Sequence, residues 1–300
     1  MGATMGMKPV TLMSPRSSIC KYKCGATFIL LINIYLCVLG QPVNATDWPM
    51  SGGNPQHTNS TPDQVAPPLT EAWEQSFAGR TFSSPVVVGQ TLFAMSYNGS
   101  YQRSVVCIDL QTKTLRWETP VSAYSYYGVT ASSGNLYVSE YYSLSALDAT
   151  NGQLKWRFSP GVLTPSGFFN RAMAPVVADD RVYIGVDRAG ALMSPGGAIV
   201  ALDTSTGAMA WQQQIGGYPH TAPTLWQDKA YLATSSHWEG GVYISEPGAM
   251  AGVSNMTGSV MWKRGWEGWN EIVASNNMLY ALSNGILGAP NEYVLILVEN

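Results

Sequence analysis

Charge is the scarcest property of this 300-residue chain: only 12% of its residues are Asp, Glu, Lys or Arg, against 46% hydrophobic. Helical proteins solvate their outer faces with Glu, Lys and Arg, so low charge combined with 30 Gly, 16 Tyr and 10 Trp points to strands and turns. Cysteine is nearly missing. Cys20, Cys24 and Cys37 fall in the first 45 residues and Cys107 stands alone beyond them, which excludes an intrachain disulfide framework. The apolar, strand-like surroundings of Cys107 make it a small core residue rather than a reactive thiol. There is no adjacent Cys pair and no Cys-x-x-Cys-His for covalent haem. Positive charge is short as well. Residues 1–45 take Lys8, Arg16, Lys21 and Lys23 and no acid, so twelve basic residues face 19 acidic ones in the remainder, a formal net charge of −7. Phosphate binding needs clustered positive charge, so nucleic acid is excluded as a partner.

Long apolar runs are lacking, with one exception. "ATFILLINIYLCVLG" follows the four basic residues, and "PVNA" follows it. The run is short for a span of about 20 residues and contains Asn33. It reads as a secretory signal cleaved after Ala45 rather than a retained anchor. The expected organisation is a signal peptide at 1–45, a leader at 46–69 and a repeat domain at 70–300. The expected location is outside the cytoplasm, periplasmic or extracellular, with no stable membrane span after signal removal.

What the chain does have is a repeat. "VCIDLQTKTLRW", "SALDATNGQLKW" and "VALDTSTGAMAW" end at Trp117, Trp156 and Trp211, and place Asp109, Asp148 and Asp203 eight residues before each Trp. A fourth copy, "AGVSNMTGSVMW", ends at Trp262 with Ser254 in place of the Asp. With Trp73, these Trp recur every 39 to 55 residues. Before each motif comes a hairpin pattern such as "APVVADDRVYIGV", with an aromatic near the start of its second run. Four short antiparallel strands per 40–50 residues is the pattern of a β-propeller blade, and a β-sandwich has no such period. In each motif the Asp side chain is positioned to accept turn N–H groups. Gly152, Gly207 and Gly258 supply the positive φ of a tight turn. Lys113 replaces that Gly in the first copy, which predicts a looser turn or one of another type. The Trp, on the outermost strand, is expected to fill the seam to the next blade and offer its N–H to a carbonyl there.

The "ALDxxTGxxxW" form at Ala146–Trp156 and Ala201–Trp211 resembles the pyrroloquinoline-quinone-like repeat propellers, and "DWPMSGGNPQHT", Asp47 to Thr58, looks like their leader segment. The resemblance covers nearly all of the chain after residue 45. It implies an all-β propeller with five visible blades, either closed by Thr70–Phe77 acting as outer strand of the last blade or part of a seven- or eight-bladed ring. It also implies two functional alternatives. One is a non-catalytic binding or scaffold protein that contacts protein or glycan and carries no cofactor or metal. The other is a quinone-dependent dehydrogenase, or a fragment of one, using pyrroloquinoline quinone and calcium. The missing Cys pair and half-size chain speak against the second, and none of the dehydrogenase's catalytic residues maps onto this sequence.

Binding residues favour loops on a rigid scaffold. The longer loops between blades and between second and third strands offer Arg80, Tyr127, Arg171, His220, His237, Trp238, Glu239 and Trp269. A His beside a Glu at 237–239 suits acid–base chemistry or metal binding, but the spacing is not that of ligands, so the stretch reads as a polar loop with an aromatic plug. His57 reads as a cap on the chain entry.

Overall fold

The computed structural model describes residues 46–63, 67–69, 71–98, 102–122, 128–140, 143–159, 169–188, 196–236, 238–239, 242–243, 247–266, 271–283 and 294–299. Every regular element among them is a β-strand, and no helix among them is long and apolar enough to cross a membrane. Five antiparallel sheets follow one another along the chain. The first runs from an inner strand in two pieces, Arg80–Phe82 and Val86–Val88, through Thr91–Asn98 and Arg103–Asp109 to the outer strand Thr114–Val121. The second comprises Val129–Ser132, Asn135–Ser139, Leu144–Asp148 and Leu154–Phe158. The third and fourth repeat the first, with outer strands Met209–Gln214 and Val260–Gly265. The fifth has three described strands, Val273–Ser275, Met278–Ser283 and Val294–Glu299. Successive inner strands touch, and four apolar clusters fill the seams between consecutive sheets. This is a β-propeller of four-stranded blades.

The repeated sequence pattern becomes a row of side chains across each blade. The aromatic of the second strand, a small residue of the third and the Trp of the fourth lie directly opposite one another: Phe93–Cys107–Trp117, Tyr137–Ala146–Trp156, Tyr183–Ala201–Trp211 and Tyr231–Gly252–Trp262. The rings flanking the small residue are 5.9 to 6.1 Å apart between centroids. Two large rings leave no volume between them, so the middle position must be small; at Gly252 an added Cβ would lie 2.6 Å from Trp262 Nε1. Cys107 holds the corresponding place in the first blade and is fully buried, and burial pushes its thiol up to about 11. Peptide mapping after treatment with a thiol reagent at pH 8 is expected to find Cys107 unmodified in the native protein and fully modified in denaturant; rapid native labelling would contradict this packing.

In all four blades the register then slips by one residue immediately after the small position, a β-bulge just before the Trp. In the first two blades the bulged residue is basic and turns back on the motif Asp. Arg116 pairs with Asp109, and Lys155 Nζ lies 3.1 Å from Asp148. The same carboxylates accept backbone N–H groups of their turns, from Gln111 and Thr112 at Asp109, Thr150 at Asp148, and Ser205 and Thr206 at Asp203. Each carboxyl is pulled down to about 2, chiefly by the Thr112 N–H at Asp109, the Thr150 hydroxyl at Asp148 and the Ser205 hydroxyl at Asp203. Because these values are depressed, the turns' contribution is complete above about pH 4 and is lost as pH falls toward 2.

The left-handed residue of the turn is Gly152, Gly207 or Gly258, at φ 73°, 70° and 74°. Lys113 takes the same left-handed conformation, at φ 60°, while the backbone bond to the motif residue four positions earlier is made by Gly152, Gly207 and Gly258. The Asp109 side chain already closes the Lys113 turn through two N–H groups, and this holds a non-Gly residue in the left-handed region. A correction concerns ring closure. Among the described residues, 71–77 form no strand and pair with no sheet; Trp73 and Phe77 pack against Ala94, Val106 and Ile108, on the flank of the first blade facing away from the second.

The leader lies among the inner strands. Trp48 exchanges two backbone hydrogen bonds with Val87 in the first blade. Pro49 O accepts from Ala131 N in the second, Pro55 O from Leu225 N in the fourth and Gln56 O from Ala274 N in the fifth. Met50 is buried in the cluster containing Val176 of the third. Two left-handed glycines, Gly52 and Gly53, bend the segment, and a Cβ at Gly52 would sit 2.6 Å from the His57 Cα.

Candidate functional site

The two ends of the propeller differ in construction. At one end the first hairpin turn of each of the first four blades is tied to the turn of the repeat motif in the same blade, as in Ala149 N to Gly134 O, Thr204 N to Asp180 O and Asn255 N to Asp228 O. At the other end the inner strands are entered through irregular backbone: Ser83–Pro85 before Val86, Met173–Pro175 before Val176 and His220–Pro223 before Thr224. Proline removes a ladder donor, and an innermost strand has a free edge where that is tolerated.

These entries surround a pocket of about 410 Å³ on the axis. Its wall takes Ser84 from the first blade, Gly128 from the second, Ala174 from the third, Thr221 from the fourth and Glu271 from the fifth, with Trp48 and Ser51 of the leader. Among the described residues Glu271 is the one acidic residue of the lining, which holds no Lys or Arg. Its Oε1 accepts from the Ser51 hydroxyl at 3.3 Å and stands 3.5 Å from Nδ1 of the fully buried His57. The His57 contact, aided by Ser51, holds the Glu271 carboxyl below its ordinary value against the opposing effect of burial, so it is an anion at neutral pH.

Of the candidate loop residues that are described, His220 is the one found at this pocket, with Nε2 2.8 Å from the Ser235 hydroxyl and its ring 4.7 Å from that of Tyr218. Arg80 lines a different cleft, of about 390 Å³, on the first blade, and its guanidinium pairs with Glu118 at 2.6 Å. Arg171 lies on the strand Phe169–Ala172. Trp238–Glu239 is a short strand paired with Val242–Tyr243, so the expected polar loop contains a small hairpin. Tyr127, His237 and Trp269 lie outside the described residues. His57, read as a cap on the chain entry, is buried beside Glu271. Sequence reasoning missed Glu271, Ser51 and Ser84. The available signal was the Pro that precedes three of the inner strands, which marks where the backbone leaves its ladder.

A family model described as outer membrane protein assembly factor BamB matches residues 69–292. The chain belongs to this BamB-like family of PQQ repeats. No curated protein matches the sequence. Among solved structures, the chain is similar to a europium-containing methanol dehydrogenase, at 18% identity and a TM-score of 0.56, over 79% of this chain and 56% of that one. It is also similar to the quinohemoprotein alcohol dehydrogenase of Comamonas testosteroni, at 16% identity and a TM-score of 0.53, over 85% and 46% of the two chains. BamB from Moraxella catarrhalis aligns at 22% identity and a TM-score of 0.44, over 65% and 52%. The chain thus spans about half the length of these solved relatives.

The dehydrogenase neighbours raise the question of a quinone cofactor. Pyrroloquinoline quinone carries three carboxylates, and the axial lining of this BamB-like chain meets them with a carboxylate of its own and no cationic side chain. Among the described residues no three His, Cys, Asp or Glu are grouped to hold a metal. The described residues of this lining do not fit the quinone–calcium pair.

Proposed function

We propose that this chain acts outside the cytoplasm as a non-catalytic binding protein, and that its axial-pocket face contacts a protein partner. One observation carries the reading: all five blades and the leader contribute to one open depression on a rigid scaffold, whose described lining carries a single carboxylate and no Lys or Arg. Membership of an assembly-factor family supports it. A glycan is the less supported partner, since the lining offers one indole and few planar polar groups. Export rests on the basic-apolar-small pattern of residues 1–45, and Edman sequencing of the native protein is expected to begin at Thr46.

The Asp-turn-Trp repeat, in this reading, holds blade to blade. Trp117, Trp156 and Trp211 each donate Nε1–H to a carbonyl in the next blade's turn, Ala149 at 3.2 Å, Thr204 at 3.0 Å and Asn255 at 3.0 Å.

The partner reading is tested with photocrosslinking residues in the native envelope. Placed at Ser84 and Thr221 they are expected to give discrete protein adducts, and at Thr150 and Ser205, exposed at the opposite end, none. Equal labelling at both ends, or no adduct at all, would contradict the assignment of this face. Incubation with the quinone and calcium is expected to give no stoichiometric chromophore and no dye reduction with alcohols; clear activity would favour the dehydrogenase alternative.

A further inference from the structure

We infer that the axial pocket receives a single basic side chain, lysine or arginine, and that Glu271 is its counter-ion. The inference deepens the protein-partner reading above and rests on it for the source of that side chain. Four features of the pocket point to a cation of this size. First, the charge of the lining among the described residues is one-sided: one carboxylate, no ammonium or guanidinium. Second, that carboxylate is half used. Both of its described contacts, with Ser51 and His57, fall on Oε1, which leaves Oε2 uncommitted for an incoming N–H. Third, the remaining polar lining includes four hydroxyls, from Ser51, Ser83, Ser84 and Thr221, beside Asn59 and His220, and the hydroxyl oxygens serve as acceptors for the other protons of an ammonium or guanidinium. The Trp48 indole supplies an apolar wall for an alkyl stem and a negative ring face for the charge. Fourth, about 410 Å³ lies near the small end of ligand pockets, the scale of one side chain with attendant water rather than of a large cofactor. Beyond the site, the net charge of −7 after residue 45 steers basic surfaces toward the protein. A charged side chain inserted in a pocket and ringed by neutral contacts is the usual form of an interface hot spot.

The experiment is an NMR titration of the native protein with Nα-acetyl-lysinamide, Nα-acetyl-argininamide and the neutral, similarly shaped Nα-acetyl-norleucinamide. The two cations are expected to bind saturably in the millimolar range, at least tenfold tighter than the norleucine probe, and to be weakened by salt. Glu271→Gln is expected to remove that tenfold preference. Ser84→Tyr, which narrows the mouth without touching the carboxylate, is expected to weaken both cations. Equal binding of cationic and neutral probes to the unmodified protein overturns the inference without any variant having to fold. So does an unchanged preference in Glu271→Gln. The two readings separate cleanly: crosslinks at Ser84 with no cation preference leave the partner face standing and remove the basic anchor. Cation preference lost in Glu271→Gln with no crosslinks leaves the pocket standing and removes the protein partner.

Discussion

Gly207→Ala is expected to cost roughly 3 kcal/mol of stability, while Gly89→Ala costs about 1 kcal/mol. Both glycines are left-handed, at φ 70° and 56°, so alanine strains the backbone equally at either. Their surroundings differ. A Cβ at Gly89 meets nothing within 4 Å, whereas a Cβ at Gly207 would lie 2.5 Å from Cε3 of Trp156 in the preceding blade. Gly152 and Gly258 seat Trp117 and Trp211 in the same way, at 2.6 Å. The repeat glycine therefore serves twice, bending its own turn and making room for the neighbour's indole. Trp156→Ala should lose a similar amount, about 3 kcal/mol, by emptying the seam and orphaning the Thr204 carbonyl. The double variant should lose much less than the sum, because the two residues share one contact. Urea unfolding of the four proteins checks this; equal costs at Gly207 and Gly89 would show that the indole plays no part.

Removal of residues 46–58 is expected to have the largest effect of all, roughly 6 kcal/mol. Val87, Ala131, Leu225 and Ala274 would each lose a backbone acceptor at about 1 kcal/mol, and the buried Met50 side chain would add about 2 kcal/mol. The leader ties the inner strands of four blades and packs on the third, so its loss loosens every blade at its innermost edge. The peptide 46–63, added in trans, should restore the thermal midpoint in a saturable manner. An unchanged midpoint after deletion would show that the blades hold without it.

The blades were legible in the sequence because their determinants are local. A strand pair, an Asp-closed turn and a left-handed glycine are each set within a dozen residues, and the repeat displays the same solution several times. The aromatic near the start of each second strand was visible too, but not its purpose: it meets the Trp across a small residue only when three strands are aligned and the bulge has shifted the register. The expected outer-strand role of Thr70–Phe77 failed for a related reason. Apolar alternation shows that a segment will be covered, and it cannot say by what; here the cover is the free flank of the first blade.

The sequence by itself determined the all-β class, the blade as a unit, the turn chemistry and the place of each repeated Trp on an outer strand, because short-range backbone and side-chain preferences suffice for these. Tertiary structure alone decided that the leader lies against the inner strands of the blades, that one blade's glycine seats the indole of the blade before it, and that Glu271 faces Ser51 across 220 residues of chain. Those depend on which distant segments the successive sheets bring together, and no local preference encodes that distance.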